Sequence, residues 1–257
     1  MLETAKKAAL EAGKIVLGNY GKVGVLRQKD GNWQDIVTKA DLESEEKVKE
    51  IIKEKFPGHN IISEETTSPK TDSEYTWFID PIDGTTNYVT QLNFSCVGIG
   101  LVKDGEVVLG VVFNPIVNEM FWAEKGKGAF LNGNPIRVSD NDDLKNTIVN
   151  YCHQNNAEET RMVEKLFFDL KMMSRDLRRF GAAGLDLSYV ACGRNDVFFH
   201  TNTRPTLWDF VPAAVIAKEA GAKLTDWDGE EWTLESKDML CTNGKLHEKM
   251  KGILKKI

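Results

Sequence analysis

In Trp77-Phe78-Ile79-Asp80-Pro81-Ile82-Asp83-Gly84-Thr85-Thr86-Asn87, three apolar residues run directly into two carboxylates three positions apart. Such a run reads as a buried strand that delivers Asp80 and Asp83 to its end, with Pro81 and Gly84 shaping the turn. Carboxylates placed this way can converge on a hard cation such as Mg²⁺, which prefers oxygen ligands. A solvated turn is the competing reading, because Asp, Pro, Gly, Thr and Asn all form turns. Phosphatases that work through an aspartyl phosphate carry Asp-x-Asp after a strand. The spacing here is one residue longer, so Asp80 reads as a ligand and not as a nucleophile.

Working outward, the β pattern extends from Ile61 to Phe130, and Lys103-Asp104-Gly105 predicts a hairpin turn within it. Helices are predicted over 2–20 and from about Leu42 to Phe56, the latter stopped by Pro57-Gly58. Beyond about residue 140 short strands alternate with helices, the helices at Glu158 to Lys171, Ala183 to Cys192, Val211 to Ala220 and Lys245 to Lys255. The chain therefore reads as one domain over 1–257 with a soft internal division near 140, an α+β half followed by an α/β half.

Two further acidic segments join the first. Asn60-Ile61-Ile62-Ser63-Glu64-Glu65 ends a short strand in carboxylates, and Leu207-Trp208-Asp209 places an Asp just ahead of an apolar helix. Asp209, like Asp41 before its own helical run, could equally be an N-cap. The formal charge of −6 argues against a nucleic-acid partner, and the 41% of apolar residues form no run long enough for a membrane span. The N-terminus lacks the uninterrupted apolar core of a secretory signal, so a cytoplasmic protein is expected. Cys96, Cys152, Cys192 and Cys241 lie far apart and read as buried thiols, and His59, His153 and His247 as structural or solvated residues.

Taken together, these segments resemble the inositol monophosphatase family of lithium-sensitive, magnesium-dependent phosphatases. The resemblance rests on Asp35-Ile36-Val37-Thr38-Lys39-Ala40-Asp41, Ser63-Glu64-Glu65, the Asp80 to Asn87 segment, Gly126-Lys127-Gly128-Ala129-Phe130, Gly181-Ala182-Ala183, and Trp208-Asp209 followed by Glu219-Ala220-Gly221. It implies a layered αβαβα sandwich, usually dimeric, with two or three Mg²⁺ ions per active site. It further implies that Glu64, Asp80 and the Ile82 carbonyl hold one ion, that Asp80, Asp83 and Asp209 hold a second, and that Glu64 helps with a weaker third. Thr85 and Asp41 match the pair that orients and deprotonates the attacking water. Gly84, Thr85, Thr86, Gly181, Ala182 and Ala183 are the implied contacts to a small phosphate ester.

The expected reaction is hydrolysis of a phosphomonoester of an inositol, polyol or sugar by metal-activated water. Histidinol phosphate, fructose 1,6-bisphosphate and nucleotide 3′-phosphates are alternatives within the same chemistry, and a non-catalytic binding protein is the remote one. The chain departs from the family pattern after Asp196-Val197-Phe198-Phe199, where His200 replaces a customary acidic residue and a longer connection containing Arg204 leads to Asp209. A neutral His offers one donor and one acceptor where a carboxylate accepts from two hydroxyls, and Arg204 adds a bidentate anion grip. A substrate more anionic than inositol 1-phosphate is therefore expected.

Overall fold

The computed structural model describes residues 1–29, 31–153, 156–201 and 206–255. In chain order the elements are α1 (Leu2–Asn19), β1 (Val25–Lys29), β2 (Asn32–Thr38), α2 (Lys39–Lys55), β3 (Asn60–Ser63), β4 (Tyr75–Asp83) and α3 (Thr85–Val89). There follow β5 (Cys96–Lys103), β6 (Glu106–Asn114), β7 (Glu119–Glu124), β8 (Ala129–Leu131), β9 (Asn134–Pro135), β10 (Ile148–His153), α4 (Ala157–Met173) and β11 (Asp176–Arg178). The chain ends with α5 (Ala183–Ala191), β12 (Val197–Thr201), α6 (Leu207–Glu219), β13 (Lys223–Thr225), β14 (Met239–Thr242) and α7 (His247–Leu254).

Strands β3 to β9 form one sheet in sequence order, and a second sheet has the order β11-β10-β12-β14-β13. Helices sandwich both. Ala5, Ala8, Ala12 and Val16 of α1, with Val48 and Ile52 of α2, pack on Ile79, Val97, Ile99 and Val111 of the first sheet. The other face of that sheet meets α5 and α6, whose far side meets Phe198 and Cys241 of the second sheet. Helices α4 and α7 then cover Val149, Phe199 and Leu240 on the outside. Consecutive Phe198 and Phe199 enter different clusters because side chains alternate along a strand. The resulting order of helix, sheet, helix, sheet, helix is the layered sandwich that the resemblance implied. Among the described residues, no helix is long and apolar enough to cross a membrane.

Three glycines set the distance between the central helices and the first sheet. A Cβ at Gly110 would lie 1.8 Å from the Pro212 carbonyl oxygen, one at Gly100 would lie 2.6 Å from Val211 Cγ1, and one at Gly98 would lie 3.2 Å from Pro212 Cγ. Gly100 and Gly110 are direct cross-strand partners, so the bare patch is continuous. Glycine inside a strand marks such close backbone approach. At the far end of α6, the Glu219 carboxylate accepts the amides of Gly126 (2.7 Å) and Gly128 (2.8 Å), which ties the helix to the turn after β7.

Several expected boundaries move. Helix α6 starts at Leu207 with Thr206 at its N-cap position and runs through Pro212, whereas the expected start was Val211. Asp209 is thus inside the first turn and is not the cap. Helix α2 starts at Lys39 because Thr38 and Asp41 form a reciprocal capping box, which makes Asp41 the third helical residue. The β1–β2 hairpin, α3 and β11 were not foreseen, and the hairpin's signal was Asp30-Gly31. The turn at Asp104-Gly105 is as expected, with φ of 49° and 82°.

Candidate active site

Strand β4 does not end at Asp80. It pairs Asp80 with Gly98 and Asp83 with Cys96, so three steps on β4 span two on β5. Residues three apart in a regular strand point to opposite faces, and the extra residue of a bulge cancels that offset. Asp80 and Asp83 therefore share the face toward α5 and α6, while Ile82 turns into the core on the α1–α2 side. Asp83 is fixed by the amides of Gly184 (2.7 Å) and Ala183 (3.2 Å) at the start of α5. Asp80 accepts the Ile82 amide at 3.1 Å. Asp209 arrives from α6 and accepts the Thr206 hydroxyl. Glu64 follows β3, which lies beside β4.

These side chains share the floor of a cleft of about 1050 Å³. The cleft is lined further by the β1–β2 hairpin, including Trp33, Gln34 and Asp35, and by His153, Arg179, Phe180 and His200. Glu64, Asp80, Ile82, Asp83, Gly84, Thr85, Thr86, Gly181, Ala183 and Asp209 all reach the cleft. Two predicted residues do not. Ala182 is wholly buried, and Asp41 lies behind Thr85 with no exposed surface. The Ala183 amide, an implied substrate contact, is already committed to Asp83. Arg204 lies outside the described residues. His153 and Arg179 line the cleft although the sequence reading gave neither a role there.

Burial without full compensation raises every floor carboxylate. Loss of water pushes Glu64 up to about 8 against the pull of Lys29, with Asp209 adding repulsion. Asp83 and Asp209 rise to about 7, first through desolvation and then through repulsion by neighbouring carboxylates. Asp80 goes well above the usual range for the same reasons. The nearest cation is Lys29, whose ammonium sits 2.6 Å from Glu64 and 2.8 Å from Glu65. Burial disfavours its charge, but the two glutamates outweigh that and hold it well above the ordinary lysine range.

Four acidic groups with all-oxygen donors, a shared floor and mutual repulsion fit a hard divalent cation. Among the described residues, no group of three or more His, Cys, Asp or Glu side chains stands arranged to hold a metal ion. Glu64 is engaged by Lys29, Asp83 by the start of α5 and Asp209 by Thr206.

The Thr85 hydroxyl lies 3.0 Å from the Ile82 carbonyl and 3.4 Å from Asp41. Asp41 is pushed up to about 6 by burial, against the pull of the Thr38 hydroxyl and amide, so it is largely ionised at neutral pH and able to accept that proton. Gly84, at φ 83°, caps α3 and is hemmed in by the Phe94 and Gly181 carbonyls and Ala182. His200 stacks edge-on to Phe210 at 4.5 Å, and burial lowers it to about 4, which keeps its ring neutral. His59 is stacked between Phe56 and Tyr75, and His247 is buried between Thr225 and Thr242, which makes both structural. The four cysteines are free.

The family model for the inositol monophosphatase family matches residues 1–257. A fructose-1,6-bisphosphatase/inositol-1-monophosphatase of Aquifex aeolicus is 37% identical over 256 residues, covering 99% of this chain and 95% of that one. A Thermotoga maritima IMPase structure superposes with a TM-score of 0.90 at 34% identity, covering 99% and 96% of the two chains. An inositol monophosphatase structure from Anabaena gives 0.85 at 34% identity, covering 100% and 95%.

Proposed function

Because the chain belongs to the inositol monophosphatase family, whose members are metal-dependent hydrolases of phosphomonoesters, we propose that it uses Mg²⁺ to dephosphorylate a small ring or polyol phosphate. The observation that carries this reading is the bulge that turns Asp80 and Asp83 to one face, where Glu64 and Asp209 join them. In this reading Glu64, Asp80 and the Ile82 carbonyl hold one ion and Asp80, Asp83 and Asp209 a second, with Glu64 sharing a third. Magnesium held there would neutralise phosphate oxygens and supply an acidified water near neutral pH.

The protein's own groups do the positioning. In this reading the Thr85 hydroxyl, 3.0 Å from the Ile82 carbonyl and 3.4 Å from Asp41, turns its proton to Asp41, so that its oxygen accepts from and orients a water and Asp41 is the proton's destination. Gly84 keeps the backbone close enough for Thr85 and Thr86 to approach a phosphate, since first-turn amides of a helix lack internal acceptors. Attack by water requires no phosphoenzyme. A single domain, a homodimer, cytoplasmic residence and inhibition by Li⁺ complete the reading and follow from the family resemblance and the sequence.

The substrate is expected to be more anionic than inositol 1-phosphate. Arg179 supplies positive charge to the cleft lining, and His200, also in that lining, is a neutral hydrogen-bonding group. Comparing kcat/KM for inositol 1-phosphate, histidinol phosphate, fructose 1,6-bisphosphate and a nucleotide bisphosphate tests this. A bisphosphate is expected to lead. Inositol 1-phosphate at the top of the panel refutes the preference.

A further inference from the structure

The hairpin wall of the cleft is irregular in an informative way. Lys29 pairs with Asn32, yet its neighbour Gln28 pairs with Ile36, so one step on β1 faces four on β2. Trp33, Gln34 and Asp35 are thereby left out of the ladder, and all three line the cleft. Bulges beside active sites re-aim side chains. The base of this one is anchored, because Lys29 is bound to Glu64 and Glu65 and lies 3.7 Å from Asp35. Trp33 is 71% exposed, the largest fractional exposure among the chain's exposed large hydrophobic residues together with Phe168. It lines the same cleft as Glu64, Asp80, Asp83 and Asp209, and among the described residues it belongs to none of the three hydrophobic core clusters.

We propose that Trp33 is a specificity-determining residue that holds the alcohol portion of the substrate, selecting phosphates of rings with a flat C–H or aromatic face over acyclic ones. This rests on the phosphatase reading above. With phosphate on the carboxylate floor, the leaving group must lie against the rest of the cleft lining, to which the hairpin contributes Trp33 as its one aromatic face, beside Val25 and Ile36 and the polar Asn32, Gln34 and Asp35. An indole presents a large, rigid apolar surface at low entropic cost, and ring contacts of this kind favour a planar or C–H-lined partner. A linear polyol has no such face to offer.

The test is steady-state kinetics with Mg²⁺ on inositol 1-phosphate and glycerol 2-phosphate, in wild type, Trp33→Ala and Trp33→Phe. The quantity read is the ratio of kcat/KM for the ring over the acyclic substrate. Wild type is expected to favour the ring, Trp33→Ala to lower the ratio by about 3- to 10-fold, chiefly through KM, and Trp33→Phe to retain most of it. A ratio near one in wild type, or an equal loss on both substrates in Trp33→Ala, overturns the assignment and leaves the residue as part of hairpin architecture. A wild type that releases phosphate from neither compound nor from fructose 1,6-bisphosphate overturns the phosphatase reading instead.

Discussion

Replacing Gly110 by Ala puts a methyl group 1.8 Å from the Pro212 carbonyl oxygen, a distance no pair of nonbonded atoms tolerates. The obstacle is helix backbone, which cannot rotate away as a side chain can. Helix α6 must lift from the sheet by about 1.5 Å to restore ordinary contact, and overpacking of this kind costs about 1–3 kcal/mol or more. For a chain of this size that is a fall in Tm of about 2–12 °C. The same displacement carries Asp209 away from Asp80 and Asp83, and misplacement by about 1 Å can cost about 100-fold in rate. Gly98→Ala meets only Pro212 Cγ at 3.2 Å and is expected to be far milder on both measures. Thermal denaturation and phosphate-release kinetics on the two variants decide the matter. A Gly110→Ala protein with wild-type Tm and kcat would refute the account of how α6 delivers Asp209.

Two other outcomes follow from the crowded floor. Asp209→Asn removes a negative charge that Asp83 repels, so the metal-free variant is expected to melt no lower than wild type while turnover falls at least about 100-fold and the Mg²⁺-induced rise in Tm shrinks; a marked loss of metal-free stability would contradict this. In EDTA, Glu64, Asp83 and Asp209 bind protons more tightly folded than unfolded, so stability falls as pH rises through the range up to their folded values of about 7 to 8. His200 and His247, held near 4, act in the opposite sense, gaining stability from about pH 4 to 6.5, and the four thiols, all raised by burial, add a loss of the same sign only as pH approaches the unfolded thiol value of about 8.5, so the carboxylate effect is read between 6.5 and 7.5. The expected slope there is about 1.4 kcal/mol per pH unit for each carboxylate still protonated, and Mg²⁺ should abolish it. Urea melts at pH 6.5 and 7.5 that show flat or rising stability in EDTA would contradict the repulsion.

Much of this was legible in the chain. Strand periodicity and the Asp104-Gly105 turn place most of the first sheet, and the Asp80 to Asn87 segment points to its own chemistry. What hid was tertiary. The bulge that aligns Asp80 with Asp83 depends on Gly98 and Cys96 across the ladder, which no local pattern records. The expected helix began at Val211 with Asp209 as a possible cap, but the helix starts at Leu207 and carries Asp209 inside its first turn. The glycines at 98, 100 and 110 were visible as breaks in strand pattern, although only the position of α6 gives them meaning. Asp41 likewise passed for a cap, and it does serve a capping box, yet its other oxygen faces Thr85. Arg179 escaped notice and His153 was set down as structural or solvated because neither lies at a diagnostic spacing, and the cleft alone brings them together.

Phosphate release from a small substrate panel, measured after exhaustive chelation and again after adding Mg²⁺, tests the central claim most directly. Four mutually repelling carboxylates can bind an anion only through a cation, so turnover should vanish with the metal and return with it. Full activity in the chelated protein would contradict the account.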